Sequence, residues 1–149
     1  MNIMFALKIA QLELDRFPNL IEAGWKLTTM PRARTVLARC DYRKKEIIMG
    51  ERFLRVNTEE LIRETALHEI AHPLTPRHGH DAVWKAQARA LGIPDTRCCS
   101  EAVMILGKYI ALCPKCKRLH TRDRSPKYER WCLKCGRLSG QLTFVMRKL

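Results

Sequence analysis

No stretch of this 149-residue chain approaches the roughly 18 consecutive apolar residues of a membrane-spanning helix, so no such span is expected. Residues 1–10 have no basic lead and carry Lys8 inside their apolar run. They read as the start of an amphipathic helix and not as a secretory signal. Acidic residues are scarce: 15 Asp and Glu stand against 28 Lys and Arg, a formal net charge of +13. The deficit is local. Residues 1–106 hold 16 basic and 13 acidic side chains, net +3, whereas residues 107–149 hold 12 basic and 2 acidic, net +10. A basic excess concentrated at one end predicts a polyanionic partner, most often nucleic acid. The alternative is a solvated surface that aids solubility. Cysteines number seven, an odd count that with no secretory signal argues against a secreted disulfide framework and predicts a cytoplasmic protein. Hydrophobic residues make up 46%, enough for a packed core, and the length fits one domain of about 100 residues plus a small module. The expected boundaries are 1–106 and 107–149.

The stretch that organises the chain is His68-Glu69-Ile70-Ala71-His72, followed by Gly79-His80-Asp81. On a helix, residues four apart project from one face one turn apart, so both imidazoles can reach one zinc ion. Zinc in such a site polarises a carbonyl and lowers the pKa of a water to about 7. Glu69, beside the first histidine, would take the proton from that water and pass it to the leaving amine. This is a metalloprotease pattern, and it requires a helix. Asn57 is the expected N-cap with Glu60 three residues on, as in a capping box. Glu59 and Glu60 put negative charge in the first turn, where the helix dipole favours it. Pro73 is expected to stop the helix.

Around this element, residues 2–17 show helical spacing of Ile3, Ala6, Leu7, Ala10, Leu14 and Phe17, ended by Pro18-Asn19. Trp25-Lys26-Leu27 is a short strand candidate. Residues 35–49 read as a hairpin turning near Arg43-Lys44-Lys45 and closed by Gly50, and its edge could serve an extended peptide substrate. Cys40 reads as a small buried hydrophobe. Prolines and glycine make residues 74–79 a loop. A second helix is expected from about Asp81 to Leu91, with Val83, Trp84, Ala88 and Leu91 on its apolar face and Gly92 and Pro94 as its stop. Cys98 and Cys99 read as structural thiols near the site.

A catalytic zinc needs a third protein ligand and an open position. Two residues compete. His78 copies the long spacing His-Glu-x-x-His-x-x-Gly-x-x-His, but Thr75 stands where that pattern has glycine. His80 is favoured, because the start of a new helix would hold it rigidly, leaving His78 as a rim residue or transition-state donor; His78 and Tyr109 are the two candidate oxyanion donors. His68-Glu69-Ile70-Ala71-His72, a short loop, then Gly79-His80-Asp81 and Trp84 resembles the SprT-like (Spartan-like) metallopeptidase domain. The resemblance follows the order of elements over residues 1–106, and residues 64–92 carry it specifically. It implies that His80 is the third ligand. The family often has glycine where this chain has Asp81, and the loop between second and third ligands is short here.

Cys113-Pro-Lys-Cys116 and Cys132-Leu-Lys-Cys135 are 15 residues apart. Two such pairs predict a closed, structural four-thiolate zinc site, a zinc ribbon, in which metal replaces the core that about 40 residues cannot build. Ala111-Leu112, Arg130-Trp131 and residues 142–145 are its expected strands, and His120 is a spare ligand candidate. Lys115, Lys117, Arg118, Arg122, Arg124, Lys127 and Arg130, with Tyr128 interleaved, suit phosphates and unpaired bases. Trp131 reads as ribbon core. The family resemblance implies a zinc module after the peptidase domain and, in eukaryotic members, DNA control of the cleavage of proteins trapped on DNA.

The expectation is therefore an α+β fold: a small metallopeptidase domain with helices on a short antiparallel sheet, followed by a β zinc ribbon. It would hold two Zn2+, one catalytic and one structural, and act on protein substrates near DNA, single-stranded DNA included. The rival classes are a nucleic-acid-binding regulator that no longer cleaves and a ribbon that docks on a protein. An intact Glu69 speaks against the first, since binding alone has no chemical need of it.

Overall fold

The computed structural model describes residues 1–31, 33, 36–96, 102–103 and 106–147. They fall into two compact units, Met1–Ile105 and Leu106–Leu149. Among the described residues no helix is long and apolar enough to cross a membrane. The reading of Cys98 and Cys99, and the first residue of the expected hairpin, Thr35, lie outside the described residues.

The first unit starts with α1 (Ile3–Leu14), whose N-cap Asn2 accepts the Met4 N–H. It ends earlier than its spacing suggests. Pro18 opens a second, short helix α2 (Pro18–Glu22) instead of merely ending the first, because proline's fixed φ and missing N–H suit a helix's first turn. Strands β1 (Lys26–Met30), β2 (Ala38–Asp41) and β3 (Glu46–Gly50) follow. β2 and β3 are the expected hairpin, with Lys45 at φ 53° completing its turn. Trp25 lies just outside β1. The sheet is mixed, not antiparallel: β3 is central and β1 runs parallel to it, in the order β1-β3-β2. A parallel neighbour needs only a crossover connection, which leaves no local mark in the sequence.

Gly50 ends β3 against the carbonyls of Val36 and Leu37; a Cβ there would sit 2.6 Å from the first. The chain then enters α3 (Glu51–Val56), a helix not anticipated, and α4 (Glu59–Leu74). Ile62, Ala66 and Ile70 of α4 pack with Ala6, Ala10 and Leu14 of α1, Ile47 and Met49 of β3, and Phe53 and Leu54 in one core. Buried Glu13 ties α1 to α4 by accepting from Arg63 at 2.9 Å. Helix α5 (Ala82–Ala90) adds Trp84 and Ala88 to the core, while Val83, expected on the apolar face, is exposed.

The start and stop of α4 differ from expectation. Its N-cap is Thr58, whose hydroxyl accepts from Leu61 N–H at 3.4 Å; Glu60 joins the cap by accepting from Thr58 and from its own N–H, which lowers its carboxyl pKa. Asn57 is buried instead. Its amide donates to the carbonyls of Phe53 and Val103, both at 2.9 Å, and accepts from Val103 N–H at 2.8 Å. Pro73 stays inside the helix, which runs one residue further; proline gives up the backbone bond to the carbonyl four residues before it, that of Glu69, and only Leu74 follows it in the helix.

The second unit contains β4 (Tyr109–Leu112), β5 (Leu119–Arg122), β6 (Arg130–Trp131), the single-turn α6 (Gly136–Ser139), β7 (Gln141–Leu142) and β8 (Val145–Met146). β4 is central to an antiparallel sheet with β5 and β8, and β6 pairs with β7. Residues 142–145, expected as one strand, end β7 and begin β8. The apolar core is small: Ala111, Cys113, Cys132 and Leu142 are buried, with Cys116, Cys135 and Phe144 against them.

The capping difference yields a test. Asn57→Ala strands a buried carbonyl and the Val103 N–H and should cost about 2–3 kcal/mol, whereas Thr58→Ala should cost about 1 kcal/mol or less. Urea unfolding of both variants checks the order; a costlier Thr58 would return the cap to first place.

Candidate metal centre and its cleft

α4 carries His68, Glu69 and His72, and the loop into α5 carries His80. The nitrogens of the three imidazoles lie within 4.8 Å of one another. His68 Nε2 and His80 Nε2 are 3.0 Å apart. Trp84, fully buried on α5, supports all three rings, with centroids 4.6, 5.5 and 4.5 Å from those of His68, His72 and His80. Asp81 fixes where that helix begins: one carboxylate oxygen accepts from the N–H groups of Val83 and Trp84, both at 3.1 Å. Its other oxygen is 2.8 Å from His78 Nδ1. His78 is thus tied to the cap and stands outside the imidazole cluster, while His80 stands inside it.

Burial shapes the charges. It pushes the His68 imidazole down to about 4, aided by the neighbouring His72 and His80. It pushes His72 down to about 4 as well, aided by His80. Both therefore offer neutral nitrogen lone pairs at neutral pH. Glu69 is 8% exposed, and burial pushes its carboxyl up to about 7 against a backbone hydrogen bond from Cys40. A carboxyl poised there can both accept and return a proton near neutrality.

The donor set fits a divalent metal. Tetrahedral zinc with bonds of about 2.0–2.1 Å to nitrogen spaces its ligands roughly 3.3 Å apart, close to what His68 and His80 show. A cleft of about 310 Å³ opens onto these three histidines and Glu69, with Cys40 and Tyr42 in its wall. Cys40 is half-buried and lines this cleft, not a sealed core as expected. Burial, then the charges of Glu69 and Asp41, push its thiol up to about 12, so it stays protonated. Tyr42 was missed by the sequence reading. The signal was the alternation Ala38, Cys40, Tyr42, which continues one face of β2 into the turn.

In the second unit the four cysteines Cys113, Cys116, Cys132 and Cys135 converge within the same 4.8 Å limit. Cys116 and Cys132 sulfurs are 3.7 Å apart, near the roughly 3.8 Å of tetrahedral zinc with bonds of about 2.3 Å to sulfur. The two loops are built alike. Each Cys-x-x-Cys is followed by a left-handed residue, Lys117 at φ 56° and Gly136 at φ 71°. Lys117 N–H returns to Cys113 O, and Gly136 N–H to Cys132 O. His120 lies outside the cluster, on β5 opposite Ala111.

Lys115, Lys117, Arg118, Arg122, Arg124, Lys127, Tyr128 and Arg130 are all exposed, Tyr128 at 75%. They lie on β5, at the edge of β6, in the first cysteine loop and in the 123–129 connection. Trp131 is half-buried with the Arg137 guanidinium 5.0 Å over its ring.

The geometry separates the two rival histidines. His80→Ala should lower the zinc held at the imidazoles, leaving the cysteine site filled, because it removes one of three converging nitrogens. His78→Ala should leave both metals in place. Zinc counted by elemental analysis after dialysis decides; loss only in His78→Ala would reverse the assignment.

No curated protein matches the chain. The model of the SprT-like family matches residues 7–102, more than half of its length and all of the imidazole cluster. Helix, cleft and cluster fall inside that match, and the chain belongs to the SprT-like family.

Proposed function

We propose that the chain is a zinc metallopeptidase that works on proteins bound to nucleic acid. The observation that carries the reading is the placement of a buried carboxyl, Glu69, in one cleft with three converging imidazoles. His68, His72 and His80 would hold the catalytic zinc, and Cys113, Cys116, Cys132 and Cys135 a structural one. The chemistry that zinc supplies in a three-imidazole set is Lewis acidity toward a carbonyl and a water whose pKa falls to about 7.

The chain's own residues do the rest. Glu69 accepts a proton from the attacking water at a carboxylate oxygen and then donates it to the departing amine nitrogen, so the carboxylate is regenerated each turnover. Trp84 keeps the three rings from turning away. β2 is an edge strand of the sheet, beside the cleft, and an extended peptide can add to it as a further strand.

The basic ribbon supports the nucleic-acid half of the reading. Its sheets are short, its charge is +10 and its basic side chains are exposed. Tyr128 offers an open ring for base stacking, whereas Arg137 already occupies the Trp131 face. Leu133 and Leu138, essentially fully exposed beside the second cysteine pair, favour a second reading in which the ribbon also docks on a protein.

Glu69→Gln should retain both metals and lose at least about 100-fold in cleavage of a DNA-binding protein mixed with single-stranded DNA. Undiminished cleavage by the variant sinks the assigned mechanism.

Single-stranded DNA affinity should fall steeply with salt. Lys127→Ala and Arg130→Ala should each flatten the log–log slope by about 0.7, while Tyr128→Ala should cost about 1–3 kcal/mol with the slope unchanged. Fluorescence titrations at several salt concentrations read both; a binding constant indifferent to salt removes nucleic acid from the proposal.

A further inference from the structure

Peptide hydrolysis puts negative charge on the carbonyl oxygen as the carbon becomes tetrahedral, and a fixed hydrogen-bond donor at that oxygen speeds the step. Of the two side chains suggested for that donor by sequence, His78 is held by Asp81 and Tyr109 lies on β4 of the second unit. The cleft wall contains another phenol. We propose that Tyr42 is the transition-state donor: its O–H leaves the carbonyl of His72 and donates to the oxygen of the scissile peptide. This rests on the peptidase reading above.

Three observations carry it. Tyr42 lines the same cleft as Glu69 and the three histidines. Its ring is held edge-on against Trp25, with centroids 5.7 Å apart and planes at 83°, while 45% of the residue remains exposed. The ring is therefore positioned yet open to a substrate.

Its hydroxyl donates to His72 O at 2.8 Å. That carbonyl already accepts from Thr75 N–H at 3.1 Å, so the phenol is an additional donor there and the helix end stays satisfied when it departs. Arg39 also lines the cleft, with Asp41 3.9 Å from its guanidinium, and it is untouched by a substitution at Tyr42.

The test is Tyr42→Phe, which keeps the ring against Trp25 and removes only the hydroxyl. Zinc content should be unchanged. With a DNA-binding protein and single-stranded DNA as substrate, kcat should fall about 100-fold or more at nearly constant KM. A second readout needs no turnover. A phosphinic pseudodipeptide flanked by alanines mimics the tetrahedral, anionic carbon, and calorimetry should show at least tenfold weaker binding to Tyr42→Phe than to wild type. The uncleaved alanine peptide should bind Glu69→Gln and the Glu69→Gln, Tyr42→Phe double variant alike.

Equal phosphinic affinity and equal kcat overturn the role of Tyr42 alone. So does a lowered melting temperature with kcat intact, which marks the hydroxyl as a structural tie. A rise in KM alone overturns it too, since that is ground-state binding. A zinc-loaded wild type that neither cleaves nor binds the phosphinic peptide overturns the peptidase reading itself, and the donor with it.

Discussion

Three imidazoles and a carboxyl group held together in one half-buried cleft are the constraint on which the first unit is built. Desolvation disfavours every charged form of these groups, as the lowered pKa values of His68 and His72 and the raised one of Glu69 record. Core packing has to force them together. Trp84 does so from α5, in ring contact with all three histidines, and the α1–α4 packing with its Glu13–Arg63 pair holds α4 in place beneath them. Neutral nitrogens crowded this way gain most from a cation, which repays the desolvation that packing imposes.

The second unit meets the opposite difficulty. Among its described residues four apolar positions are buried in its core, two of them cysteines, against a charge of +10, too little core against too much repulsion. Two of its cysteines are shifted in opposite directions. A backbone bond from Arg118 pulls Cys116 down to about 6, and burial with the neighbouring thiols pushes Cys135 up to about 12. Four thiols at these distances gain a common charged state only around a metal, which is why metal and fold are one equilibrium in units of this size.

Local chemistry was legible in the sequence, and long-range pairing was not. The i, i+4 histidines, the Asp81 cap of α5, the charged hairpin turn and both cysteine loops each depend on residues within a few positions, and each reads directly. The parallel β1–β3 pairing joins Leu27 to Ile47 across 20 residues with no turn to announce it. Asn57 misled because cap preference describes what an asparagine can do with nearby N–H groups; two of its side-chain bonds go to Val103, 46 residues away. Pro73 misled for another reason. Proline's penalty is the lost bond and the ring contact at the carbonyl four residues before it, and α4 bears that penalty in its last turn. Tyr42 escaped because its neighbour in the cleft, His72, is 30 residues distant.

On the proposed reading, selectivity cannot reside in the cleft alone. Part of its wall is an edge strand that any extended backbone can join, and Glu69 would act on the peptide group itself and not on side chains. Discrimination then has to come from which chains are brought to it. A covalently attached unit bound to nucleic acid raises the effective concentration of every protein on the same strand toward the millimolar range, with no new contact at the catalytic centre. On that reading the charge asymmetry of the sequence, +3 against +10, divides the work: the unit that would cut need not attract the polyanion, because the unit that would do so is part of the same chain.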